Sequence, residues 1–123
     1  MNTVPKHVLL FDQIIPEERS SLRGGKGKAL ARPYIKPDER HPGSHFKSVG
    51  LNILEPGTSI GIHLHEQDEE LYIVMKGRGA HIDNTGTRHL LKEGDMSICC
   101  KGEQHGFENT GSEPLWLIGI LAD

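Results

Sequence analysis

Residues 57–77, GTSIGIHLHEQDEELYIVMKG, contain the pattern that decides the predicted fold of this chain. His63 and His65 are two positions apart, Glu70 follows five positions later, and a glycine stands at each end. Because alternate side chains of an extended strand point to the same side, the two imidazoles are expected to lie next to each other. Two neutral imidazoles and a carboxylate suit a divalent first-row transition metal, but such a site usually needs a fourth ligand.

The fourth ligand is predicted in residues 94–109, GDMSICCKGEQHGFEN. His105 follows a turn there and begins a second run of alternating apolar residues. Glu69 is an alternative to its neighbour Glu70, but strand alternation and the six-residue gap to the closing glycine favour Glu70. The predicted ion is one divalent Mn, Fe, Zn, Ni or Co per chain. The predicted metal ligands are His63, His65, Glu70 and His105.

Together the two stretches resemble the paired motifs of the cupin superfamily, G-x5-H-x-H-x4-E-x6-G and G-x5-P-x-G-x2-H-x3-N. The one departure is Cys100, which stands where the family usually has proline. The resemblance covers the chain from about His45 to its end. It implies an all-β fold, a double-stranded β-helix or jelly-roll barrel over residues 45–123, preceded by an N-terminal arm over residues 1–44. The matching positions are Gly57, His63, His65, Glu70 and Gly77 in the first motif and Gly94, Gly102, His105 and Asn109 in the second.

The pattern of residues 45–123 favours the same architecture, because short alternating runs are separated by turn residues every eight to ten positions. Eight strands of this kind can close as a jelly roll. The predicted strands are 46–54, 59–65, 70–75, 79–83, 87–91, 96–100, 104–109 and 115–121.

Residues 1–44 have no clean periodicity. Residues 8–11 could form a short strand, residues 16–22 a helical turn with proline at its first position, and residues 29–35 an edge strand that tolerates proline. The basic, glycine-rich residues 23–28 do not have phosphate-loop spacing and are interpreted as a flexible connector. Since this arm is too short to fold alone, we expect it to complete a neighbour's sheet in a homodimer.

Tyr72 is the predicted catalytic residue, because strand alternation places it on the same face as Glu70. There it could hydrogen-bond a ligand or transfer a proton; the alternative is a half-buried structural tyrosine. Phe107 shares the face of His105 and is expected to form an apolar wall. The other histidines, His7, His41, His45, His81 and His89, are interpreted as surface or structural residues, with His41 and His45 as candidates for a lid.

Length and charge exclude several classes of protein. The 123 residues fit one domain, and 14 basic and 17 acidic residues are well mixed, which gives no field that favours nucleic acid or an anionic membrane. No signal peptide or membrane-spanning stretch is predicted, so a cytoplasmic location is expected. The adjacent Cys99 and Cys100 are expected to be free thiols, one of them in the core.

Open coordination positions on a site with four protein ligands are what metal catalysis requires. We therefore expect a metal-dependent enzyme that acts on a small oxygenated metabolite, such as a sugar phosphate, a uronate or an oxoacid, with the metal as Lewis acid. The family resemblance implies isomerase or epimerase, decarboxylase, lyase and dioxygenase activities as the possible reactions. The alternative is a non-catalytic module that binds or senses a small molecule.

Overall fold

A computed structural model describes residues 6–123, so the first five residues of the predicted arm lie outside the described part. Two antiparallel sheets face each other, with strand orders β1-β2-β3-β10-β5-β8 and β4-β9-β6-β7. This confirms the predicted all-β fold. Within residues 6–123, three short 3-10 helices cover Phe11–Gln13, Leu22–Gly24 and Pro37–Glu39. The strands are β1 Glu17–Ser20, β2 Lys28–Ile35, β3 Phe46–Leu54, β4 Ser59–Leu64, β5 Glu69–Lys76, β6 Arg78–Ile82, β7 Arg88–Lys92, β8 Met96–Cys99, β9 Gln104–Asn109 and β10 Leu115–Ala122.

All eight strands predicted after residue 45 form, because their alternating apolar residues face a common core and their turns are made by suitable residues. Gly77 shows why one motif position favours glycine. Its φ of +86° is in the left-handed region, and a Cβ there would lie 2.9 Å from the Pro114 carbonyl oxygen. The tight turn from β5 to β6 therefore depends on this glycine.

The N-terminal third differs from the expectations in two places, although the strand predicted over residues 29–35 forms as β2. The predicted helical turn at residues 16–22 is wrong, because residues 17–20 form β1 and pair with β2. The predicted strand at residues 8–11 is also wrong: Val8 and Leu10 are exposed and pair with no strand, and a 3-10 helix begins at Phe11. At residues 17–20, pairing with β2 overrides the weak local helix signal, whereas residues 8–11 have no strand to pair with among the described residues. The strands β1 and β2 belong to this chain's own sheet, while a domain boundary at residue 44 stays a prediction.

Strand β2 is not the edge that the sequence indicates, since it lies between β1 and β3. Strand β1, however, pairs only with residues 28–31 of β2. Pro33 lies beyond that pairing, opposite Gly50 of β3. Because proline has no N–H to donate, it is tolerated where β2 has no neighbour on one side.

The core lies between the sheets, and its large, fully buried apolar side chains include Phe107, Leu54, Leu115, Leu117 and Val74. Towards one end, the inward positions of the six-stranded sheet become smaller. Gly119 of β10 is paired with Tyr72 on one side and with Gly50 on the other. A Cβ on Gly119 would lie 3.4 Å from the Tyr72 ring and 3.7 Å from Oε2 of Glu70. Small residues at this level leave room for a cavity inside the barrel.

Candidate metal centre

Four side chains meet inside the barrel. They come from β4, from the residue that directly follows β4, from β5 and from β9. His63 of β4 is the direct cross-strand partner of His105 of β9, and Glu70 comes from the facing sheet. The ligand atoms of the cluster lie within 4.8 Å of one another. The structure thus brings together all four predicted ligands, His63, His65, Glu70 and His105. Glu69, the alternative, is exposed and outside the cluster.

The donor atoms converge on one point. The Nε2 atoms of His65 and His105 are 3.1 Å apart. Bonds of about 2.0–2.2 Å to a common ion would place neighbouring ligand atoms roughly 3.0–3.5 Å apart, so the observed spacing fits a bound transition metal. The Oε1 atom of Glu70 lies 3.5 Å from Nε2 of His63, 3.3 Å from Nε2 of His65 and 3.0 Å from Nε2 of His105.

Hydrogen bonds on the outer side of the cluster orient two of the imidazoles. The Nδ1 atom of His63 donates to the Gly61 carbonyl at 2.7 Å, and Nδ1 of His65 donates to Oδ1 of Asp68 at 2.7 Å. When these two rings are neutral, Nδ1 carries the proton and the Nε2 lone pairs face the centre of the cluster, as a metal ligand requires. Nε2 can donate to Glu70 only when a ring is also protonated there. Asp68 is itself held by Lys47, whose Nζ lies 2.8 Å from Oδ2.

Asp68 and Lys47 are functional candidates that the sequence reasoning missed. An acid three residues after His65 is a usable signal for Asp68, since ligand histidines commonly donate to a carboxylate. Lys47 has no such signal, because it is 21 residues away from Asp68 in the chain. His81, interpreted from the sequence as a surface or structural residue, is buried beside the cluster: it is 6% exposed and its ring centroid lies 5.7 Å from that of His105. Among the described residues, Nδ1 of both rings is buried without a hydrogen-bond partner.

Glu70 carries a negative charge at neutral pH. Burial acts to raise the pKa of Glu70, but hydrogen bonds from the histidines, that from His105 first, outweigh it and hold this pKa well below its usual range. The hydrogen bond to Glu70 raises the pKa of His65, whereas burial lowers the pKa of His105. A divalent cation would neutralise the charge of a carboxylate buried among imidazoles. On binding, it would displace protons from these side chains.

Tyr72 lies against the cluster. Its ring stacks on the imidazole of His105 with centroids 4.9 Å apart and planes 7° apart, and it is 3% exposed. Burial and the nearby Glu70 charge raise the pKa of the phenol well above its ordinary value, with the charge of Arg23 acting in the opposite direction. The hydroxyl is therefore protonated at neutral pH and can donate a hydrogen bond. Phe107 is fully buried and packs edge-on against Tyr72, so it supports that ring from the core.

A cavity of about 260 Å³ opens next to the cluster. His63, Glu70 and Tyr72 line it on the inside, and Arg19 and Arg23, both exposed, line it towards solvent. The two arginines come from the N-terminal segment, and no sequence motif predicts that they lie near the candidate metal site.

The remaining candidates lie elsewhere. His41 and His45 bond to the backbone of Lys6 and Asp123, and neither lines this cavity, so a lid role has no support from their position. Cys99 is buried and Cys100 exposed, both free. The backbone N–H of Cys100 donates to Oε1 of Glu103 at 2.8 Å. This bond satisfies the donor that the family's usual proline would lack.

Within residues 6–123, no helix is long and apolar enough to cross a membrane.

Two facing antiparallel sheets around a cluster of three histidines and one glutamate define a double-stranded β-helix protein with a candidate transition-metal site. A family model described as "Cupin domain" matches residues 50–121. The chain is also similar to an oxalate-binding protein of Thermotoga maritima, with 32% identity over 93% of this chain and 92% of the relative. The chain therefore belongs to the cupin family.

Solved structures support the same assignment. A crystal structure described as a predicted oxalate decarboxylase from Thermotoga maritima matches with a TM-score of 0.85 and 32% identity, over 94% of this chain and 97% of that one. A cupin-superfamily sugar phosphate isomerase from Silicibacter pomeroyi matches with a TM-score of 0.71 and 23% identity, over 94% of this chain and 75% of that one. The second likeness concerns the fold alone.

Proposed function

We propose that the protein is a metal-dependent cupin that acts on a small oxoacid, with oxalate as the first candidate. The observation that carries this proposal is the position of the four-residue cluster beside an open cavity that two of its members, His63 and Glu70, line. The cavity volume, about 260 Å³, is below the range of about 300–1,000 Å³ that holds drug-sized ligands, so a small ligand fits best. Similarity to an oxalate-binding protein over nearly the whole chain supports the same ligand class.

The four clustered side chains would hold one divalent transition metal. When bound, the ion would supply Lewis-acid chemistry by polarising a ligand oxygen. The chain's own residues orient the site. Gly61 and Asp68 accept hydrogen bonds that fix the imidazoles of His63 and His65. Phe107 packs against the Tyr72 ring from the core side. Tyr72, protonated and facing the cavity, would donate a hydrogen bond or a proton to the ligand.

A binding role without turnover is the second candidate. It is favoured by the high pKa of Tyr72, which removes the phenol as a base at neutral pH, and by the binding function in the name of the Thermotoga relative. The two candidates differ in one respect: only an enzyme has a reaction rate that depends on Tyr72.

The test begins with the metal-free protein reloaded with Mn, Fe or Zn. Each form is titrated with oxalate in a calorimeter and then incubated with oxalate, a 2-oxoacid, a uronate and a sugar phosphate, with and without oxygen, while products are followed by mass. If the protein is an enzyme, Tyr72→Phe should lower turnover by ~10²–10⁴-fold with metal content unchanged. If it only binds, the same change should cost about 0.5–1.5 kcal/mol of affinity. Tyr34→Phe, on β2 away from the cluster, is the matched control. An oxalate affinity no better than that of metal-free protein, and no product, would refute the proposal.

We also propose a homodimer that forms through the outer face of the six-stranded sheet. Leu71 and Ile73 point away from the cavity, and their cross-strand partners on β10 and β8 are all apolar. These partners are Ile118, Ile120, Met96 and Ile98. A continuous apolar sheet face of this kind is usually covered by another molecule.

We also propose a cytoplasmic location, because the free thiols suit a reducing compartment.

A further inference from the structure

We propose that Arg23, assisted by Arg19, recognises the charge at the outer end of the ligand and so makes the cavity selective for small dicarboxylates over monocarboxylates. This rests on the proposed function, because it assumes that an oxoacid meets the His63–Glu70 side of the cavity. Both arginines line the cavity at its solvent side. A ligand that touches the cluster with one end points its other end towards them.

The two guanidinium groups are largely free to bind an anion. Among residues 6–123, no carboxylate lies within salt-bridge distance of Arg23. Arg19 lies 3.5 Å from Oε2 of Glu17, but Glu17 is shared with Lys36, whose Nζ is 3.3 Å from Oε1. The cavity mouth therefore keeps a positive charge, and guanidinium groups bind carboxylates through paired hydrogen bonds.

The backbone at this position is strained. Arg23 has φ +52° and ψ +36°, and Ser21 also has φ +52°. The left-handed conformation is unfavourable for residues with a Cβ and persists only where the surroundings impose it. Such strain is common where a side chain must be held at a ligand site.

The surroundings of Arg23 explain how the strain is held. A Cβ on Gly25 would lie 2.1 Å from the Ser59 carbonyl oxygen, and a Cβ on Gly61 would lie 2.2 Å from the Arg23 carbonyl oxygen. Two glycines thus let residues 23–26 lie directly against β4, the strand that carries His63. Lys26 and Ser59 close this contact, since the Lys26 N–H donates to Ser59 Oγ at 2.9 Å and the Ser59 N–H donates to the Lys26 carbonyl at 2.9 Å.

The basic, glycine-rich stretch therefore has a role other than the flexible connector expected from the sequence. Its glycines provide close packing on β4, and its first residue, Arg23, is placed over the cavity. The charge of the site also favours selectivity for dicarboxylates. A divalent ion with Glu70 carries one net positive charge, and two arginines at the mouth add to it, which attracts a dianion more strongly than a monoanion.

The experiment measures binding with two probes, oxalate and its monoamide oxamate, which has one charged end. Manganese-loaded wild type, Arg23→Ala, Arg19→Ala/Arg23→Ala and the control Arg88→Ala are titrated in a calorimeter. Metal content and melting temperature are measured for each. Arg88 is an exposed arginine on β7 that pairs with Glu108, outside the cavity. Arg23→Ala should weaken oxalate binding about tenfold or more, as expected for a lost charged hydrogen bond. It should change oxamate binding much less and leave metal content unchanged.

Gly25→Ala provides a second, independent test. It retains both arginines but forces residues 23–26 away from β4, so it should also lower the preference for oxalate over oxamate. If Gly25→Ala does not fold, the arginine variants alone test the proposed selectivity.

Equal oxalate affinity in wild type and the double variant would overturn the inference while leaving the proposed function intact. An equal loss for oxalate and oxamate, or loss of metal from Arg23→Ala, would also overturn it, because Arg23 would then act on the fold or the cluster. Failure of wild type to bind either probe would refute the proposed function and this inference together.

Discussion

Asp68 is expected to control metal affinity without being a ligand. It is held in ionised form: burial acts to raise its pKa, but Lys47 and His65 outweigh this and lower it. Its Oδ1 accepts a hydrogen bond from the Nδ1–H group of His65, whose side chain is only 3% exposed. In Asp68→Ala that nitrogen loses its acceptor, and the tautomer that points Nε2 at the cluster is no longer fixed.

Loss of such an outer partner typically weakens metal binding by about 10–100-fold, which corresponds to ~1.4–2.7 kcal/mol. Because metal bound only to the folded state stabilises it by mass action, the same amount should be missing from the metal-induced stability at a fixed excess of metal. For a chain of this size, the loss equals roughly 4–13 °C of metal-induced rise in melting temperature.

The assay has two parts. Competition with a chromophoric chelator gives the dissociation constant for Zn or Mn, and thermal melts with excess metal and with EDTA give the metal-induced rise. Asp68→Asn keeps an acceptor oxygen and should be intermediate, whereas Glu66→Ala, at an exposed neighbour, should behave as wild type. The reasoning is refuted if Asp68→Ala binds metal as tightly as wild type. It is also refuted if the variant melts lower by the same amount with and without metal, because Asp68 would then only anchor Lys47.

Three further outcomes are expected. His105→Ala should lower metal content sharply from about one ion per chain, while His89→Ala, an exposed histidine on β7, should not; full occupancy in His105→Ala by elemental analysis would contradict the ligand assignment. Ile73→Lys should convert a wild-type dimer to a monomer in micromolar sedimentation runs, and a monomeric wild type would refute the interface. The His89 and Thr85 hydrogen bonds hold the pKa of Asp83 below its usual range, so Asp83 stabilises the fold above about pH 4 and loses this effect as pH falls. The stability gap between wild type and Asp83→Asn, measured in denaturant, should therefore be full at pH 7 and close in acid; a pH-independent gap would contradict this.

The sequence alone determined the barrel and the membership of the candidate metal-binding cluster. Both depend on local rules: side chains alternate along a strand, and glycines mark the tight turns between strands. That is why residues 46–54 and 104–109 were predicted with the bounds that the structure shows, and why His63, His65, Glu70 and His105 could be named from spacing. Before residue 45 the same rules predicted β2, as residues 29–35, but they missed β1, which forms where β2 is beside it.

Only the tertiary structure decided what surrounds the cluster. Lys47 reaches Asp68 across 21 residues of chain, and Arg23 touches β4 because two glycines allow the backbones to approach closely. Neither contact leaves a periodic pattern, since each depends on how the sheets and the N-terminal segment pack. The candidate ligands thus follow from short-range spacing in the sequence. Their orientation and the charge of the cavity mouth follow from contacts between distant parts of the chain.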